Sequence, residues 1–183
     1  MPARFDVTAV ISAAGRLSAT SEQFDRVRQR TLATLARRLK PEAIRDIRQE
    51  YAMDAPLVRN RLSIRVSANA VELVGDRTPI GIAQGYRGRQ TKQGVVFTVR
   101  RADGPQRLRH AFIASPTRAS NGWQGTGAQA FERAGRGAPR FPLDRLFSAS
   151  VADALGTDAR RAHMREFGQK ILSAEIKRQL KLL

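Results

Sequence analysis

Two histidines, no cysteine and a large surplus of arginine set the range of chemistry open to this chain. Proton transfer at neutral pH calls for a group that titrates near 7, which leaves His110 and His163. His110 adjoins the apolar run Ala111-Phe112-Ile113 and has no Asp, Glu or Cys close by in sequence. A strand-surface or hydrogen-bonded histidine is therefore expected there in preference to a general base. His163 falls on the polar side of a helical pattern and is expected to be solvated. Metal binding needs a cluster of His or carboxylates at ligand spacing, and the sequence offers none. Asp144 and Asp153 have no spacing that suggests paired acid–base work, and Ser148-Ala149-Ser150 lacks the flanking glycines of a nucleophile elbow. No catalytic residues, no metal and no cofactor are expected, and the chain reads as a non-enzyme.

Binding chemistry has more to work with. Gly85-Tyr86-Arg87-Gly88-Arg89-Gln90 is a basic, glycine-rich stretch of the kind that cradles phosphates. It lacks the Gly-Lys-Ser/Thr ending of a nucleotide loop, so a flexible hairpin tip, or a loop that orders against a neighbouring subunit, is the favoured reading. Arg87, Arg89, Lys92, Arg100, Arg101, Arg107, Arg109 and Arg118 could line one surface of a sheet and its loops. Such a surface would face nucleic acid or an acidic neighbour. Tyr86 and Trp123 are the candidate interface aromatics, and either could stack on a base. Aromatics make up only 6% of the chain, which leaves little for a stacking platform. Trp123 lies in the polar run Asn121-Gly122-Trp123-Gln124-Gly125, where a tryptophan more often marks an interface than an isolated surface residue. No sequence-reading nucleic-acid motif is present, and the Lys40-Pro41 junction lacks the glycine turn of a helix–turn–helix.

Net charge is +17, carried by 28 Arg and five Lys against 16 acids. Residues 77–140 hold 12 basic and two acidic residues, so the surplus is concentrated in the middle of the sequence. A hydrophobic content of 42% is too high for a disordered tail. No apolar run reaches the roughly 18 residues of a membrane span, and no membrane association is expected. The first residues, Met1-Pro2-Ala3-Arg4-Phe5-Asp6, do not open a signal peptide. The absence of cysteine excludes disulfides and thiolate chemistry and is consistent with a reducing compartment.

The elements that must hold these residues follow from periodicity. Phe5–Ile11 reads as a short strand or extended arm. Thr20-Ser21-Glu22-Gln23 has the form of a capping box, opening a helix to about Leu39 with Phe24, Val27, Thr31, Leu35 and Leu39 on one face. Pro41 should end that helix and start another, which carries Ile44, Ile47 and Tyr51 and closes before Pro56. A short turn over 56–60 follows. Leu62, Ile64 and Val66 alternate with polar residues and pair as a hairpin with Val71 and Leu73. Further strands are expected at Ile80–Gln84, Val95–Val99, Leu108–Ala114 and Ala128–Arg133, with mobile loops at 85–94 and 115–127. Phe141-Pro142-Leu143 should be extended, and Ser148–Leu155 a short helix. A final helix starts at Thr157-Asp158, with Met164, Phe167, Ile171, Ala174 and Leu180 near one stripe and Leu172 and Ile176 beside it. The class is α+β: N-terminal helices, a central mostly antiparallel sheet with long basic loops, and a C-terminal amphipathic helix. We read 1–183 as one domain, made of an arm (1–20), a helical segment (21–55), a sheet region (61–135) and an extended segment with the last helix (136–183).

Set in this order, several short motifs resemble the phage minor tail protein Z family. They are Lys40-Pro41-Glu42-Ala43-Ile44-Arg45 and Val58-Arg59-Asn60-Arg61-Leu62 in the front half. In the back half they are Ala111-Phe112-Ile113, Ala130-Phe131-Glu132-Arg133, Arg140-Phe141-Pro142-Leu143 and Ser150-Val151. The family has Ala-Phe-Ile, a Val-Phe-x-Arg strand, an Arg-x-Pro-Ile/Leu segment and a Ser-Val helix start at the matching places. Ala130 stands where a valine is usual, and the residues between Pro142 and Ser150 depart from the family's Gly-Pro form. The resemblance implies a structural virion subunit, a minor tail or tail-completion protein at the head-proximal end of a non-contractile tail. It implies a homo-oligomeric ring, with a hexamer as the favoured order, in contact with tail terminator, tail tube or connector proteins. It would be assembled in the host cytoplasm, and a basic lumen could meet DNA or the tape measure. The family brings no catalytic residues to carry over. The alternative that composition supports is a basic nucleic-acid-binding accessory protein acting outside a particle.

Overall fold

The structure is a computed structural model that describes residues 3–6, 21–114, 127–133 and 143–182. It is α+β, as expected. In chain order it comprises β1 (Ala3–Asp6), α1 (Ser21–Glu50), α2 (Ala55–Asn60), β2 (Leu62–Val66), β3 (Ala70–Gly75), β4 (Ile80–Gly81), α3 (Ile82–Gly85) and β5 (Arg89–Thr91). There follow β6 (Gly94–Phe97), β7 (Gln106–Leu108), β8 (Ala111–Ala114), β9 (Gln129–Glu132), β10 (Asp144–Arg145), β11 (Phe147–Ser148), α4 (Val151–Leu155) and α5 (Asp158–Leu180). The strands pair in antiparallel ladders and distribute among four small sheets.

Helix α1 corrects the expected break at Pro41: its 30 residues run through the proline, for a length of about 45 Å. The buried positions explain why. Val27, Thr31, Leu35, Leu39, Ala43 and Ile47 recur every four residues on both sides of Pro41, each no more than 3% exposed. Pro41 itself is exposed, off this stripe. An interior proline costs about 3 kcal/mol, because the carbonyl of Arg37 loses its helical donor. Each fully buried Leu or Ile returns about 1.5–3 kcal/mol, so a broken stripe would cost more than the lost bond.

The chain forms two compact units. The first takes 1–46, 59–76 and 155–183. Its sheet has the order β1-β3-β2, with Ala3 opposite Leu73 and Ile64 opposite that same Leu73. Leu62, Val71 and Leu73 are buried, as alternation predicts, but Ile64 is half-buried and Val66, expected on the same face, is 56% exposed. In α5 the buried face is Arg160, Met164, Gly168, Ile171, Leu172, Glu175, Ile176 and Gln179. That face is rotated from the expected stripe: Ala174 is exposed, and Phe167 and Leu180 are half-buried. Three of its eight positions are polar, and each has partners. Arg160 Nε lies 3.0 Å from Asp46 Oδ2 on α1. Glu175 accepts from Arg178 Nη2 at 2.6 Å and from Gln179 Nε2 at 2.7 Å.

The second unit takes 47–58 and 77–154. Its core is Ile82, Val95, Phe97, Ala111 and Ala130, with Leu108, Ile113 and Leu146 packed against them. Sheet β5-β6-β7 and sheet β10-β9-β8 supply most of it, and β11 pairs with β4. Four expectations change here. Ile80–Gln84 is a two-residue strand followed by one helical turn, closed by Tyr86 N–H donating to the Ile82 carbonyl. Gly85 is required by the close approach of Ile80, whose Cγ2 would lie 2.0 Å from a Cβ at that site. The stretch 85–94 is an ordered hairpin arm, in which β5 pairs with β6 through a turn at Lys92-Gln93. The single strand expected at Leu108–Ala114 is two, β7 and β8, separated by a turn at Arg109-His110. Ser148 belongs to β11, and the helix after it starts at Val151.

Candidate anion-binding site

The second unit gathers part of the predicted basic set on one face of sheet β5-β6-β7. Strand register fixes which part. Arg89 is opposite Val96, and Val96 is opposite Arg107, so all three side chains project from the same side. Val95 and Phe97 alternate to the other side and are buried in the core. The outward face therefore carries an arginine on each outer strand with a valine between them.

Beside this row lies a cleft of about 370 Å³. Arg87, Arg89 and Arg101 line it, together with Ala52, Val96, Thr98, Gly104 and Pro105. Two of the three arginines are held in place. Arg87 has a φ of 52°, in the left-handed region that a residue with a Cβ enters at a cost of about 1–2 kcal/mol. Its Nε and Nη2 both reach Asp54 Oδ1 at 2.8 Å. The Arg87 side chain is 76% exposed, so this ion pair contributes at most about 1 kcal/mol and mainly sets direction. Arg101 donates from Nε to the Arg48 carbonyl at 2.9 Å, and its own N–H donates to the Glu50 carbonyl at 2.8 Å. Among the described residues neither Arg89 nor Arg101 has a carboxylate partner.

The other predicted residues divide. Arg107 donates to the side-chain carbonyl of Gln93, which ties the outer row to the β5–β6 turn. Lys92 and Arg109 are exposed on turns. Arg100 is drawn away to Tyr51 and Glu50: its guanidinium sits 5.7 Å from the Tyr51 ring centroid and its Nε 3.4 Å from Glu50 Oε1. The Tyr51 contact comes first among the influences that hold Arg100 above its ordinary range. Arg118 and Trp123 lie outside the described residues.

Tyr86 is a correction. It touches the cleft but is only 1% exposed, and its hydroxyl donates to the Ala149 carbonyl at 2.6 Å. Burial pushes its phenol well above the usual tyrosine range. Its ring is a packing group and cannot stack on a base. His110 is exposed in its turn. His163 is exposed, as expected, with its Nδ1 3.4 Å from Asp46 Oδ2, the carboxylate that also holds Arg160. Among the described residues no three His, Cys, Asp or Glu come together as metal ligands.

Sequence reading missed Asp54 and the Arg48 carbonyl, which aim two of the three arginines. They stand 33 and 53 residues from their partners, and no local pattern links them. A guanidinium remains protonated at every pH at which the chain folds, so what this arrangement can do is recognise an anion. No protein-family model, curated protein or solved structure matches the chain.

Proposed function

We propose that the chain is a structural subunit of a phage tail, of the minor-tail or tail-completion kind. It would act as a homo-oligomeric ring at the head-proximal end of a non-contractile tail. The observation that carries this reading is the ordered series of motifs shared with the minor tail protein Z family. What supports it further is how the back-half motifs sit in the second unit. Ala111-Phe112-Ile113 lies in β8, Ala130-Phe131-Glu132 lies in β9, and the two strands pair residue for residue. Phe112 is opposite Phe131, with ring centroids 6.0 Å apart. Strand β10 continues the sheet, and Arg145 Nη2 donates to buried Gln129 Oε1 at 2.9 Å.

Ser150, before the shared valine, caps α4 in a reciprocal box. Its Oγ accepts from Asp153 N–H at 3.1 Å, while Asp153 Oδ2 accepts from Ser150 N–H at 2.9 Å. The Ser150 hydroxyl, which donates to Asp153 Oδ2 at 2.7 Å, and then the Ser150 N–H favour the ionised form and hold the Asp153 carboxyl below its usual range. The motif residues thus pack and pair; they do not converge on a reacting centre. Residues with that role set the shape of a subunit, which is the property a ring assembly depends on. Part of the series, Arg140-Phe141-Pro142, lies outside the described residues.

Electron microscopy of particles carrying a tagged copy tests the reading. The expected result is a ring of label at the head-proximal end of the tail. Absence from the particle, together with tight and steeply salt-dependent DNA binding by the free protein, would replace it with the accessory DNA-binding reading.

A further inference from the structure

We propose that the three-arginine cleft seats an acidic stretch of a different protein chain. The carboxylates of that stretch would rest on Arg89 and Arg101, and its apolar side chains over Val96 and Pro105. The proposal rests on the tail reading only for where the partner is found. The chemistry is that of the cleft itself.

Three observations select this occupant. The first is charge: Arg89 and Arg101 line the cleft and, among the described residues, meet no carboxylate, whereas Arg87 already has Asp54. Two guanidinium forks without acid partners match carboxylates in geometry and in sign. The second is the apolar part of the lining. Ala52, Val96 and Pro105 line the same cleft and present carbon beside the charges. A sugar–phosphate backbone has no apolar side chains to lay there, and the aromatic that could have stacked on a base, Tyr86, is buried. A peptide that alternates acidic and apolar residues satisfies both parts of the surface. The cleft's volume lies near the lower end of the roughly 300–1,000 Å³ usual for ligand pockets, enough for a few side chains.

The third observation excludes a second copy of this chain as the donor. Among the described residues, ten acids are already in ion pairs with the chain's own basic residues. No two of its acids stand closer than three residues apart in sequence, so a neighbouring copy, in a ring or otherwise, has no alternating acidic stretch to offer. The segment has to come from a partner of opposite charge.

The test is fluorescence anisotropy with the full chain at physiological salt and three labelled probes. The probes are a short peptide alternating glutamate and valine, the same peptide with glycine for valine, and an oligothymidylate. Arg89→Gln with Arg101→Gln removes the cleft charges. Arg165→Gln, on the exposed side of α5, removes one charge elsewhere. We expect the glutamate–valine peptide to bind about fivefold tighter than the glutamate–glycine peptide, and the double variant to lose about tenfold or more. The Arg165 variant should stay within about twofold of the native protein. Circular dichroism and urea midpoints matching the native protein show that each variant is folded.

Equal binding of the two peptides overturns the role of the apolar lining and with it the proposal. Equal losses in the cleft variant and the Arg165 variant reduce the effect to general charge and also overturn it. Tighter, cleft-dependent binding of the oligothymidylate reassigns the cleft to nucleic acid. Peptide binding by a chain that is absent from particles would leave this inference standing while sinking the tail reading. A chain found in the particle whose cleft ignores the peptide would do the reverse.

Discussion

Removing the charge of Asp46 tests whether the first unit is held by a desolvated ion pair or only by apolar packing. Arg160 is 4% exposed and Asp46 17%, and their charged atoms are 3.0 Å apart. At that separation and an effective dielectric constant of about 20, the attraction is about 5–6 kcal/mol. Taking both ions out of water costs several kcal/mol, so the pair as a whole is close to neutral against an apolar pair of similar shape. Losing one partner is a different matter. Asp46→Asn keeps the shape but strands a buried guanidinium, at a cost of about 3 kcal/mol from a total stability of about 5–15. Arg160→Met leaves a carboxylate that can still use His163 and some solvent, so it should cost about 1–2 kcal/mol. Asp46→Leu combined with Arg160→Met should cost less than Asp46→Asn alone. The assay is equilibrium urea unfolding followed by far-ultraviolet circular dichroism, with the slope checked for constancy. The losses should barely change with added salt, since buried pairs are weakly screened. An Asp46→Asn cost below about 1 kcal/mol, or a double variant as damaged as Asp46→Asn, would refute the reasoning.

Three further outcomes follow from the geometry. Hydrogen bonds from Arg178 and then Gln179 hold the Glu175 carboxyl down to about 2, against 4.5 for the free group. Its contribution is therefore complete above pH 4.5 and is lost as pH falls toward 2. Because Arg178 is 61% exposed, screening leaves about 1–2 kcal/mol, and Glu175→Gln should flatten the acid limb of stability by that amount; parallel urea midpoints from pH 5 to 2 would contradict this. Gly94→Ala places a Cβ 2.0 Å from the Leu108 carbonyl oxygen at a φ of 119° and should cost about 3 kcal/mol or more, whereas Gly104→Ala, at 67° with open space around it, should cost about 1 in the same unfolding experiment. Ser150→Ala removes the α4 cap and should lower stability by about 1 kcal/mol, and an unchanged midpoint would mean the box is decorative.

How much of this was legible depended on whether the deciding contact was local. The α1 stripe from Val27 to Leu39 was plain from spacing, and so were the β2–β3 hairpin, the buried Val95 and Phe97, and the N-cap position at Thr157. Pro41 misled because a local rule was applied to a helix whose stripe continues beyond it. The face of α5 was misplaced because reading by apolar period cannot see buried polar residues. Arg160 and Glu175 are buried on account of partners, and Asp46 stands 114 residues from Arg160. The stretch 85–94 looked like a loop by composition, yet the Ile80–Gly85 approach and the buried Tyr86 turn it into a hairpin arm.

Charge is the feature for which sequence and fold disagree most usefully. By sequence the surplus belongs to residues 77–140. Folded, the second unit holds 14 basic and six acidic residues and the first holds 19 and ten, so both carry nearly the same net charge. Density of charge therefore cannot mark a site in this molecule. What separates one arginine from another is its partner. Arg160 and Arg178 answer buried or half-buried carboxylates and hold the fold together. Arg100 is occupied by Tyr51 and Glu50. Arg89 and Arg101 line a partly apolar cleft with no acid beside them among the described residues, and Asp54 keeps Arg87 turned toward the same cleft wall. Among the described residues ten acids meet the chain's own bases while Arg89 and Arg101 meet none, and that difference in pairing, not charge density, is what singles out these two for the peptide experiment.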